Sequence, residues 1–307
     1  MRIITISYFH SLQSNPLPLG EKGDFMKKSI FILGLSLITA FVFAGSSFSA
    51  NGDGVFVPSP TGTGGIDYSN QILKVKGLAP PQKGAATAGE SRILQLRVTK
   101  ADAYRKALEL IKEVQVSSET TVNNFMLESD IVRTKVQGMI RGLKEEGEPV
   151  YLNDGTIEQW YTFPMQGNFN GLIFDQIIPP GTPPQSPSVP FTQGGQAFSG
   201  LIVDARGLGA KPAMAPKIFD EDGREVYGSA YVNREWAIKE GMAGYSKDVA
   251  AARNNPRVTA TPIVVKGLKT SGQAKADIVI SNTDAEKIRA NAENMTFIEK
   301  CRVMIVL

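Results

Sequence analysis

The sequence predicts an α+β protein: two small mixed α/β domains joined by a proline-rich linker, behind a cleaved signal peptide. Three observations predict it. An apolar run from Ile30 to Phe43 follows the basic Met26-Lys27-Lys28. Stretches with a helical apolar period then alternate with short β-branched and aromatic runs. Between two such groups stands the segment from Pro179 to Pro190, which holds six prolines. Proline at that density sustains neither a helix nor a ladder, so the segment reads as a polyproline-II linker or exposed loop rather than a docking motif.

A basic start, an apolar centre and a small-residue exit from Ala44 to Ala50 are the parts of a secretory signal. The centre falls short of the roughly 20 apolar residues that span a bilayer. Cleavage is expected after Ser46, Ser49 or Ala50. Met1 to Phe25 is long, mixed in charge and contains Pro16 and Pro18, so translation is expected to start at Met26. Residues 1–50 are thus assigned to leader and signal, and 51–69, rich in Gly, Pro, Ser and Thr, to a flexible arm.

The first domain is assigned to 70–167. Ile72 to Lys76 alternates as a strand. Ala101, Tyr104, Leu108 and Ile111 form one stripe of a long helix over Glu90 to Val114. Gln115 to Val122 is β-branched and hydroxyl-rich, which predicts a strand with one wet face. Ile131 to Ile140 predicts a second helix, and Asp154-Gly155 the turn of a hairpin whose return strand carries Trp160, Tyr161 and Phe163. The linker is assigned to 168–197 and the C-terminal mixed α/β domain to 198–307. That domain is expected to hold a strand at Gly200 to Arg206, a strand pair around Asp220-Glu221-Asp222-Gly223, a helix over Asn233 to Ala251 weakened by Gly241 and Gly244, strands at Val258 to Val265 and Ala276 to Ile280, a helix capped by Thr283 or Asp284 running to about Asn294, and a closing strand at Cys301 to Leu307.

Composition excludes much chemistry. The one histidine, His10, precedes the signal, so the mature chain lacks histidine-based nucleophilic catalysis, metal ligation and proton relay. Cys301 is the only cysteine, and no intramolecular disulfide can form. Loss of residues 1–50 removes Arg2, Lys22, Lys27 and Lys28 against Glu21 and Asp24, taking the net charge from +3 to +1, which is no footprint for nucleic acid. Asp220-Glu221-Asp222-Gly223 offers alternate carboxylates but lacks the rest of a calcium loop, so a hairpin turn is the expectation. Gly207-Leu208-Gly209-Ala210 is an incomplete dinucleotide fingerprint followed by Lys211-Pro212 where a helix should open, and a tight turn is expected there. No cofactor or metal is expected.

From Ala101-Asp102-Ala103-Tyr104-Arg105-Lys106-Ala107-Leu108 through Val114 to Val122, continuing at Val136 to Gly142 and at Asp154-Gly155, the chain resembles the Lpp-twenty-like lipoprotein family over about residues 70–167. The family's lipobox cysteine is missing, and a second domain is added. The resemblance implies an exported, non-catalytic assembly protein of the periplasm or outer membrane, a homo-oligomer with flagellum-associated rings or disks as one setting for it. Sheet edges or the long helix, with Arg105 and Lys106 as the candidate assembly face, would supply its contacts. The alternative is a periplasmic binding module for a small molecule, peptide or glycan, for which Trp160, Tyr161, Phe163, Tyr227, Tyr231 and Trp236 could line a site. A carboxylate-based enzyme is the third reading, and no acid pair marks it.

Overall fold

The computed structural model describes residues 54–81, 84, 87–185 and 195–307. The expected leader, signal and cleavage sites, and the prolines at 187 and 190, lie outside them. The described residues fall within one compact unit that begins at Phe48.

In chain order the first half comprises β1 (Phe56–Pro58), β2 (Gly64–Asp67), β3 (Ile72–Ala79), α1 (Ala88–Lys112), α2 (Val122–Glu128), α3 (Asp130–Ile140), β4 (Lys144–Tyr151), β5 (Ile157–Pro164) and α4 (Asn168–Phe174). The second half comprises β6 (Leu201–Asp204), β7 (Ile218–Phe219), β8 (Glu225–Tyr227), α5 (Arg234–Glu240), β9 (Gly244–Ser246), α6 (Val249–Arg253), β10 (Ile263–Ser271), β11 (Asp277–Ile280), α7 (Asn282–Arg289), α8 (Asn294–Glu299) and β12 (Val303–Val306). The fold is α+β, with an antiparallel sheet ordered β1-β2-β3-β5-β4 and a mixed sheet ordered β8-β7-β11-β10-β6-β12-β9.

The first sheet is covered on one face. β3 alternates strictly between buried and half-buried residues, and α1 lies on its buried face. Gly77 makes that approach possible, because a Cβ there would overlap the Thr99 backbone of α1. Thr87 caps the helix by accepting the Glu90 N–H at 3.1 Å. The Asp154-Gly155 hairpin forms as expected, with Gly155 at φ +82° and Asp154 accepting the Thr156 N–H at 2.9 Å. In the second sheet, β10, β6, β12 and β9 run parallel; β12 and β9 are buried at every position, whereas β10 exposes Lys266, Leu268 and Lys269. Leu201, Val203, Val303 and Ile305 enter the main core, while Ile202, Met304 and Val306 pack beneath α6 with Ala252. The main core is continuous through both halves.

Several sequence expectations change. The helix expected to be capped by Thr283 or Asp284 and to reach Asn294 is capped by Ser281 and ends at Arg289, and the strand expected at 258–265 begins only at Ile263 and runs on to Ser271. The arm assigned to 51–69 contributes β1 and β2, because Gly64 and Gly65 let these strands lie close against β3 and beneath the Phe56 ring. The strand expected at 115–122 is a loop closed by a single Gln115–Thr121 bridge, with Val122 opening α2. Its backbone pairs with the other half: Gln115 and Val116 carbonyls accept from Met214 and Ala215 at 2.9 and 2.7 Å, and Ser118 accepts from Ala274 at 2.9 Å. The segment assigned to the linker begins with α4, whose Phe169, Ile173 and Phe174 are buried, and only from Pro179 does it become exposed. The helix expected over 233–251 is broken by Gly241 at φ +76° into α5, β9 and α6.

The expected assembly by sheet edges meets an obstacle in all four edge strands. β1, β8 and β9 have three residues each, and β4 carries Lys144, Glu145, Glu146 and Pro149 with a register break after Glu146. Short, charged or proline-bearing edges discourage strand addition. Among the described residues, no helix is long and apolar enough to cross a membrane.

Candidate functional site

The wet face of the first sheet and the β9 edge of the second enclose a half-open cleft of about 680 Å³. Cross-strand register puts Phe56, Asp67 and Lys74 on that wet face, and all three line the cleft. Trp236, Arg257, Lys300 and Arg302 line the other side. The cleft therefore stands beside the entry to β12, at the opposite end from where open parallel sheets usually bind ligands.

Local backbone chemistry builds the basic wall. Gly241 stops α5 and leaves the last carbonyls of that helix turned outward. Arg257 gathers them: its guanidinium donates to the carbonyls of Glu240, Gly241 (3.0 Å) and Cys301 (2.8 Å). Gly244 lets the Arg257 side chain lie flat along β9, since a Cβ there would stand 2.9 Å from Nε. Arg257 thus ties the end of α5 to the entry of β12 while keeping its charge unpaired by any carboxylate among the described residues. Lys300 and Arg302 flank Cys301, whose φ of +55° turns the chain into β12. The Cys301 thiol is buried, and burial pushes its pKa up to about 12, so it is inert.

Most polar groups in the cleft are already satisfied. Ser69 Oγ accepts the Val55 N–H and donates to the Tyr245 carbonyl. Gln71 donates to the Glu240 carbonyl at 2.6 Å and accepts from Asn170 at 3.1 Å. Asp67 accepts twice from Asn70, at 3.0 and 2.8 Å, and Lys74 pairs with Glu146 at 2.8 Å. Glu240 has a long 3.5 Å contact with Lys239. The side chains of Gln166, Lys300 and Arg302 line the cleft and have no hydrogen-bond or ion-pair partner among the described residues. The open valences are thus mainly donors and cations.

The residues singled out in the sequence fall elsewhere, with one exception. Arg105 is exposed and pairs with Asp102 (2.9 Å) and Glu109 (3.2 Å). Lys106 does not share its face: one helical step carries it toward β3, where it pairs with Asp102 at 2.5 Å and donates to the Lys76 carbonyl at 2.9 Å. Of the six candidate aromatics, Tyr161, Phe163 and Tyr227 are core, Trp160 and Tyr231 are half-buried outside the cleft, and Trp236 lines it. Asp220 of the acidic turn is committed to Arg224 and Arg289, both at 2.8 Å. Burial pushes its pKa up, but those guanidiniums and the Arg224 N–H outweigh burial and hold it below the usual carboxylate range. Gly207 and Gly209 take φ of +78° and +67° in a turn, and no helix follows it.

Fold and cleft together define an α+β protein with a donor-lined cleft at the meeting of two sheets. Residues 200–307, just over a third of the chain, match the family described as Treponema pallidum Tp0624, second domain. The match starts two residues after the boundary expected at 198. The comparison with curated proteins finds no match.

Proposed function

We propose that this chain is an exported, non-catalytic binding module of the cell envelope, with the cleft as its ligand site. The observation that carries this reading is the 680 Å³ cleft into which Lys300 and Arg302 present unpaired charge. Its size suits a small ligand, since ligand sites run from about 300 to 1,000 Å³. The basic and apolar segments from Met26 to Ala50 support export, and the lack of histidine after His10 supports a non-catalytic role. Gln166→Trp offers the direct test: a large neutral side chain at the rim closes the cleft without changing its charge. A thermal-shift screen of sugars, amino acids and nucleotides should find a class that raises the melting midpoint of the native protein but not of Gln166→Trp. A screen with no shift, or one whose shifts persist in the variant, overturns the reading.

Homo-oligomeric envelope assembly stands second, on one observation. Ile93 and Leu94 of α1 and Tyr151 and Leu152 of the hairpin tip are exposed, and the Gln95 side chain joins those two segments by donating to the Gly155 carbonyl at 2.8 Å. Light scattering tests it. An oligomer that Ile93→Asp dissociates supports it, and a monomer at high concentration removes it.

A further inference from the structure

We infer that the ligand of the cleft is an acidic sugar: a polyol ring bearing one carboxylate or phosphate. The inference rests on the binding-module reading and names the ligand class for the same site. Three observations converge on it.

The first is the balance of valences. The acceptors of Ser69, Gln71 and Asp67 are filled from within the protein and the Glu240 carboxylate has Lys239 at 3.5 Å, whereas Lys300, Arg302 and the amide of Gln166 have no partner among the described residues, so unfilled cations outnumber the one loosely held carboxylate. A ligand that satisfies them must be rich in acceptors and carry negative charge. The second is the form of the charge. Arg302 supplies a planar fork that fits a carboxylate or phosphate edge-on, and Lys300, two residues away, supplies a compact charge. Arg257 adds fixed positive charge beside them, because three carbonyls hold its guanidinium in place. Fixed donors lose little freedom when a ligand arrives. The third is the rest of the wall. Phe56 and Trp236 give flat apolar surface, and Gln166 with Asn70 gives amides. Aromatic plates with amides suit the apolar face and hydroxyl rim of a sugar ring. The modest net charge of the mature chain and the bounded volume of the cleft disfavour an extended polyanion.

Isothermal titration of the purified protein at low salt tests the inference with four probes: galacturonate, glucose 6-phosphate, and the uncharged galactose and glucose. At least one acidic sugar should bind about tenfold or more tightly than its uncharged counterpart, and 0.5 M salt should weaken it. The two acidic arms separate carboxylate from phosphate. The double variant Lys300→Gln/Arg302→Gln should lose about tenfold or more of that affinity, while keeping the native circular dichroism and melting midpoint. Lys135→Gln, on the exposed face of α3, should leave binding unchanged. Equal binding of charged and uncharged sugars, undiminished binding to the folded double variant, or no binding of either acidic sugar overturns the inference. In each case, binding of some other class that Gln166→Trp abolishes leaves the broader reading standing.

Discussion

The two sheets bury their apolar surface in different ways. β3 and β5 of the first sheet alternate, with one face under α1 and the other carrying the pairs Lys74–Glu146 and Lys76–Glu158. β11 and β12 of the second sheet are buried at every position, with Met304 and Val306 under α6 and Val303 and Ile305 in the main core. An antiparallel sheet can leave one face wet, whereas a parallel one is covered on both. The difference decides where a cleft can form. The wet face of the first sheet is polar, and the cleft forms where it runs into the second sheet's β9 edge.

The largest expected effect lies in the second half. Asp220 is fully buried and joins Arg289 to the turn before β8. Asp220→Ala strands the Arg289 charge and should cost about 3–5 kcal/mol in urea unfolding. The surface pair Lys76–Glu158 of the first sheet, broken by Glu158→Gln, should cost no more than about 1 kcal/mol. Equal costs would erase the contrast between the halves.

The seam between the halves comes next. Ser118 Oγ accepts from the Ala276 and Asp277 N–H groups and donates to the Ser271 carbonyl, all within 3.2 Å. Ser118→Ala leaves two buried donors unmet and should cost about 1–3 kcal/mol. Limited proteolysis should cut first in the exposed stretch from Pro179 to Gln185, and the fragments should co-elute, because the core is continuous across the halves. Fragments that separate would show two independent bodies.

Two buried carboxylates of the second half should respond to pH in opposite directions. Asp220 is held below 3.8, so the stability it gives is present above that value and is lost as pH falls through its lower folded pKa. Asp277 is raised by burial, which outweighs the bonds from the Lys217 N–H and Ser118. Its contribution is fully present below 3.8 and is lost as pH rises through its raised folded pKa. Asp277→Asn keeps an acceptor for Lys217 and should match or exceed the native protein at pH 7 by up to about 1 kcal/mol, with the gain gone near pH 3. Urea midpoints at the two pH values measure it. The smallest effect is at Arg105, where Arg105→Glu on an exposed helix face should shift stability by about 0.5 kcal/mol or less.

Much of this contrast was legible in residue patterns. The helical period marks α1 and Asp154-Gly155 marks the hairpin, because both signals are local, but the buried face of α1 runs through Thr99, Ala103, Ala107 and Leu110, and of the expected stripe Ala101 is exposed and only Ile111 is fully buried. The pattern failed where tertiary partners decide. Gln115 to Val122 has strand-forming residues, yet its carbonyls find partners at Met214 and Ala215. The α5–β9–α6 break hangs on a positive φ at Gly241, and α8 carries no periodic signal because its six residues span less than two turns. The cleft left no linear trace. Its charged groups, Asp67, Lys74, Glu240, Arg257, Lys300 and Arg302, come from four separate stretches of the chain, and of the aromatics singled out only Trp236 belongs to it.

A crystal of the protein soaked with galacturonate or glucose 6-phosphate tests the central claim most directly. The account predicts ligand density in the cleft, its charged group within hydrogen-bond distance of Arg302 and Lys300 and its ring against Trp236. An empty cleft at saturating concentrations of both sugars, or density confined to another surface, would contradict it.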